Sequence, residues 1–101
     1  MSATLLLNAP ESTEVDQELL LSVTIGGARA LSLVTVEVEH HKGAEPQVPT
    51  QSQVIRTDAT GTGQATFTFR FQGKGRAVLL ASAYDKSHTA FPQSADAVEV
   101  R

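Results

Sequence analysis

Cysteine is absent from this chain of 101 residues, and so is tryptophan. Without a thiol there is no disulfide staple, no thiolate nucleophile and no soft metal ligand. The compartment stays open, because domains on bacterial surfaces and virions also fold without disulfides. Aromatic residues make up 5% of the chain, four Phe and one Tyr, a thin supply for both a core and a stacking platform. No apolar run approaches the roughly 18 residues of a membrane-spanning helix. No basic run exceeds a residue or two and the net charge is −3, which argues against a nucleic-acid partner. The start, MSATLLLNAPES, has no positive n-region and reads as no signal peptide. Met1-Ser2 directly before an apolar run suggests one module of a longer protein.

What is present is alternation. Between Thr57 and Asp85 the order is turn, strand, turn, strand. Ala65, Phe67, Phe69 and Phe71 share one side, with Thr66, Thr68 and Arg70 on the other; Ala77, Leu79, Ala81 and Ala83 repeat the pattern. A period of two over that length marks a strand with one face in a core and one in water. Five further segments read as strands: Ala3 to Asn8, Glu18 to Ile25, Leu31 to His40, Ser52 to Thr57 and Ala95 to Arg101. Val34, Val36 and Val38 crowd a helix but fit a pleated surface. Gly26-Gly27, Asp58 to Gly61 and Gln72 to Gly75 punctuate as turns. Glu11 to Gln17 and His41 to Gln51 read as connections. Seven strands at regular spacing, with no helix, predict an all-β domain over residues 1–101, an immunoglobulin-like β-sandwich of about seven antiparallel strands. A small closed barrel is the alternative. Pro10, Glu99 and Arg101 read as guards against edge-to-edge pairing.

Thr57-Asp58-Ala59-Thr60-Gly61, then Ala65-Thr66-Phe67-Thr68, then Leu79-Leu80-Ala81-Ser82-Ala83-Tyr84-Asp85 resemble the turn and strands of bacterial Ig-like modules. These are the modules strung in tandem in invasin- and intimin-like adhesins and in other surface or phage structural proteins. Ala9-Pro10 before the Leu19 to Ile25 strand fits the usual entry. Lys74-Gly75-Arg76-Ala77 lacks the aromatic of the K-x-G-x-Y pattern, and Thr62 and Gly63 lengthen the turn. The resemblance implies a spacer, an adhesion module or an accessory beside a catalytic domain; fold alone does not choose among these.

Candidate chemistry is sparse. His40-His41 are adjacent on a strand, so their rings point to opposite faces, and a metal site there needs His88, Glu37 or Glu39 to converge. Asp16, Asp58 and Asp85 fall at turns. Calcium takes oxygen ligands from such loops, so the three are the candidate metal ligands, while Asx-turn duty explains each without an ion. Glu37 and Glu39 lie on one strand face without the aromatics of a sugar cleft. No nucleophile elbow is present, and Gly61-Thr62-Gly63 is not followed by the helix of a phosphate loop. The candidate ligand-binding residues are Tyr84 and Phe91, flanking the loop from Lys86 to Ser94. Exposed, they would stack on a sugar or dock a neighbouring module; buried, they plug the end of the sandwich.

The expected function is a non-catalytic structural or adhesion module of a larger cell-surface, secreted or virion protein. The alternative is a carbohydrate-binding accessory module of a polysaccharide-active enzyme. No cofactor is expected. The expected partners are neighbouring modules, a surface protein or a glycan. The domain is expected to be a monomer in isolation, or a homo-oligomer if it belongs to a virion.

Overall fold

A computed structural model describes residues 3–87 and 89–101; Met1, Ser2 and His88 lie outside the described residues. Eight strands form there, and no helix: β1 (Thr4–Asn8), β2 (Ser12–Thr13), β3 (Leu19–Gly26), β4 (Leu33–Gly43), β5 (Thr50–Arg56), β6 (Gly63–Phe69), β7 (Gly75–Asp85) and β8 (Ser94–Val100). They make a three-stranded sheet, β1-β3-β6, and a five-stranded sheet, β2-β8-β7-β4-β5. The two stack face to face in a body of 40 × 19 × 19 Å. The fold is an Ig-like sandwich.

The alternating residues do what period two requires. Leu19, Leu21, Val23 and Ile25 of β3 meet Ala65, Phe67 and Phe69 of β6 on one inner face. Val34, Val36, Val38, Ala77, Leu79, Ala81, Ala83, Val98 and Val100 line the other. The rings of Phe69 and Phe71 stack at 6.4 Å between centroids. Phe71 lies just past the end of β6 and is held by a bridge to Pro46. Small alanines at 77, 81 and 83 on the inner face of β7 leave room for bulkier side chains of the facing sheet.

Three features depart from the sequence reading. Glu11 to Gln17 is not wholly a connection: Ser12–Thr13 pairs in parallel with Glu99–Val100. The proline at position 10 cannot continue the first ladder, so the chain leaves β3 there and crosses to the other sheet. The count is therefore eight strands, one of them parallel. Leu31 is not in a strand. Its φ of 52° is left-handed, and its N–H bonds Asp58 O. Finally, β4 runs on to Gly43 through a bulge between His40 and Lys42, because an extra residue there keeps the ladder to β7 in register.

Gly43 ends that bulge with a φ of +88°, and a Cβ on it would sit 1.7 Å from Arg76 O. Gly73 has nothing within 4 Å of the same position. Gly43→Ala is expected to cost about 2–4 kcal/mol, since β7 backbone must move and the residue is strained. Gly73→Ala is expected to stay within about 0.5 kcal/mol. Urea denaturation of the two variants measures the difference.

Candidate functional site

The strand directions divide the molecule into two poles and two seams. One pole gathers the β3–β4, β5–β6 and β7–β8 loops; the other gathers the β2–β3, β4–β5 and β6–β7 loops. The seams are where the margins of one sheet face those of the other.

At the first pole the polar groups serve the loops themselves. Thr57 is 2% exposed. Its hydroxyl donates to Arg29 O and accepts from the Ser32 N–H at 2.9 Å, and its own N–H donates to Ser32 O at 2.9 Å. The β3–β4 loop is thereby clamped to the β5–β6 loop. Ala28 N–H adds a bond to Gly61 O at 3.1 Å. Asp58 turns its Oδ1 inward on its own loop, accepting the Thr60 hydroxyl at 2.7 Å and the Thr60 and Thr62 N–H groups at 2.9 Å. The Thr60 hydroxyl first, then those two N–H groups, hold its carboxyl below the ordinary value of 3.8, since all three favour the ionised form. Asp85 Oδ1 accepts the Ser87 and Thr89 N–H groups at 2.9 Å, an arrangement of the same kind.

Asp16 sits at the opposite pole. Its φ is 64°, a conformation Asp tolerates. Its N–H donates to Phe71 O, its Oδ1 accepts from Gln47 Nε2 at 3.2 Å, and its carbonyl accepts from Arg70 Nη1. Arg70 also reaches Glu18 at 3.3 Å. The structure thus brings Asp58 and Asp85 to one pole and leaves Asp16 at the other. Among the described residues no group of three or more His, Asp or Glu side chains converges. His40 is half-buried with Nε2 3.1 Å from Gly43 O, His41 is exposed beside the bulge, and Glu37 and Glu39 lie on the outer face of β4.

Tyr84 and Phe91 are also separated. Phe91 donates its N–H to Ala83 O and joins the core at 7% exposure. Tyr84 follows the inward Ala83, so it stands half-buried on the outer face, opposite Thr35 of β4. The two rings therefore lie on opposite sides of the five-stranded sheet.

The polar side chains that organise the molecule lie in the seams. Along one, the hydroxyl of Ser94 accepts the Leu7 N–H and the carboxylate of Asp96 accepts the Ala9 N–H, each at 3.0 Å. Along the other, Gln51 Nε2 donates to Thr68 O at 2.7 Å and Gln53 Nε2 to Thr66 O. Each pair is two residues apart on both strands, so side chains prolong the ladder where backbone pairing stops. The sequence carried a signal for them: Ser94, Asp96, Gln51 and Gln53 are polar at positions in phase with the inward Val98, Val100 and Ile55.

Two outcomes test this geometry. Thr57→Val removes a hydroxyl with two partners and is expected to cost about 1–3 kcal/mol in chemical denaturation. For Asp58, a lowered folded pKa means that its contribution is complete above 3.8 and is lost as pH falls through the lower, folded value. The gap in Tm between the wild type and Asp58→Ala is therefore expected to hold near neutrality and to close in acid below that point.

No known family matches the chain, and no curated protein matches its sequence. Solved structures do resemble it. A CARDB domain from Pyrococcus furiosus, described in complex with di-metal ions, superposes with a TM-score of 0.75 at 14% identity, covering 99% of this chain and 88% of that one. A solution structure of a CARDB domain from the same organism gives 0.74 at 14% identity, covering 98% and 94%. A superoxide reductase (neelaredoxin) from Ignicoccus hospitalis gives 0.61 at 17% identity, covering 97% and 80%. At such identities the likeness is one of fold: this chain shares the Ig-like β-sandwich of the CARDB domains, an architecture that also carries a reductase.

Proposed function

We propose that this chain is a non-catalytic, load-bearing Ig-like module, a structural or adhesion unit of a larger cell-surface, secreted or virion protein. One observation carries the reading: the first and last strands are cross-linked in a shear geometry. β1 begins at one pole, where Thr4 pairs with Gly26, and β8 ends at the other, where Val100 pairs with Gly75. Chain entering at one end of the 40 Å axis leaves at the other, the arrangement that suits modules in a row.

Tension between those ends pulls β2 and β8 along their own axes in opposite directions. The two are parallel neighbours, joined by Glu99 N–H to Glu11 O and Arg101 N–H to Thr13 O at 2.9 Å. The Ser94 and Asp96 bonds to β1 lie on the same line. All of these bonds are loaded together rather than opened one by one. Core burial then has to fail with them, because Val98 and Val100 of β8 are anchored inside.

The test is single-molecule stretching of a tandem array, with Ser94 and Asp96 both changed to alanine in a second array. The wild type is expected to rupture in discrete events, and the double variant at clearly lower force. In bulk the variant is expected to lose about 1–3 kcal/mol, with Tm falling roughly 4–8 °C for each. A rupture force untouched by the double substitution, in a variant destabilised in bulk, would remove the load-bearing role.

A further inference from the structure

We propose that β5 is a self-association edge, along which a second copy of this chain adds its own β5 in an antiparallel two-fold pairing centred on Gln53. β5 ends the five-stranded sheet, with β4 as its neighbour on one side. Two bonds at its ends fix where its backbone groups point. His40 N–H donates to Pro49 O at 2.8 Å, and Thr57 N–H donates to Ser32 O at 2.9 Å. Antiparallel ladders alternate, so the odd-numbered residues bond β4. The N–H and C=O groups of Thr50, Ser52, Val54 and Arg56 therefore point away from it. Among the described residues no backbone group meets that outward row. The seam does not use it either: Gln51 and Gln53 reach β6 through their side chains and leave the β5 backbone as it was.

The other edges are guarded. Ser94 and Asp96 take the Leu7 and Ala9 N–H groups along β1, the two glutamines take the Thr66 and Thr68 carbonyls of β6, and β2 is two residues long. β5 has seven residues in unbroken register with β4, without a lysine, a proline or a bulge, the usual devices that blunt an edge. Its Val54 is 63% exposed. An edge of this kind is a template for one more strand.

Charge selects that strand. On the outer face Glu39 is level with Thr50 and Glu37 with Ser52, at the start of β5, while Arg56 is level with Leu33 at its end. The ion pair among the described residues is Arg70–Glu18, so Arg56, Glu37 and Glu39 are unpaired within one copy. Lys42 lies beyond the bulge, past the start of β5. The edge is thus acidic along its flank at one end and basic at the other, and antiparallel pairing sets opposite ends together. A two-fold at Gln53 pairs all seven residues. Thr50 then faces Arg56 of the second copy, Ser52 faces Val54, and all four outward residues fall in hydrogen-bonded pairs. Arg56 of one copy joins the row of Thr50 and Glu39 of the other, two strand spacings or about 10 Å from Glu39. The two long side chains span that distance over the short Thr50. The symmetry makes the contact twice, the reciprocity an isologous interface needs.

One strand added to another over roughly 23 Å buries less than the ~1,200 Å² at which standard stable interfaces begin, so the dimer is a weak one. Its dissociation constant is expected at about 0.1–1 mM, reached in an array or at high local concentration. β5 is neither the first nor the last strand, so this pairing is independent of the load-bearing role.

The test is sedimentation equilibrium of the whole chain up to about 1–2 mM, a range set by the expected constant. The wild type is expected to dimerise. Ser52→Pro deletes an outward N–H and leaves every bond to β4 in place; it is expected to weaken association at least about ten-fold, with far-UV circular dichroism unchanged. Arg56→Glu and Glu39→Arg each set like charges against one another twice across the two-fold, and each is expected to weaken association about ten-fold. Both positions are exposed, so Tm should hold. The decisive sample mixes these two variants, because opposite charges then face each other at both contacts. Heterodimer from two variants that no longer self-associate supports the pairing. A dimer indifferent to Ser52→Pro or to the charge reversals overturns it, as does a mixture that stays monomeric. A wild type monomeric throughout also overturns it and leaves the edge to a strand of another protein.

Discussion

Two stacked sheets leave margins, and at each margin a row of backbone N–H and C=O groups has lost its ladder partner. In water such groups are templates for another chain; in a core they are costly. This molecule closes both margins from within. Ser94 and Asp96 reach from β8 to the N–H groups of β1, and Gln51 and Gln53 reach from β5 to the carbonyls of β6. Everything else sits on that closure. The core of Phe67, Phe69 and Leu79 stays dry because the sheets cannot slide apart at the sides, and among the described residues no buried side-chain nitrogen or oxygen lacks a partner.

The same closure organises the ends. Pro10 breaks the first strand, so one run of chain serves both sheets, β1 on one and β2 on the other. That switch ties the start of the chain to its finish through the parallel β2–β8 pair, the contact on which the proposed load-bearing role rests. It also leaves β3 uncovered beside Leu20, where a hollow opens.

The poles, where binding loops of a sandwich usually lie, are turned inward. Thr57 clamps two loops together, and Asp58 and Asp85 each spend an oxygen on their own backbone. Arg70, Gln47 and Asp16 knit the other pole. The CARDB and reductase neighbours show that this sandwich supports different chemistries, so what this chain does has to be argued from such contacts rather than from its architecture.

Much of this was determined by sequence alone. Alternation at Val34 to Val38 and Phe67 to Phe71 needs no partner to be legible, because inward and outward sides differ in water whatever they later meet. Seven of the eight strands, the inward residues of the core and the self-capping turns at Asp58 and Asp85 follow from local pattern. Tertiary structure decided the rest. The parallel strand at Ser12–Thr13 exists only because β8 lies beside it, and two residues carry no period. Leu31 looked like the start of a strand until the clamp from Asp58 bent it. Tyr84 and Phe91, close in sequence, parted because Ala83 O captured one backbone and the core took that ring. Asp16 was divided from Asp58 and Asp85 by strand direction, which no local spacing encodes. The seam bonds joining Leu7 to Ser94 and Ala9 to Asp96 span 87 positions, and only the folded chain could set those groups within reach.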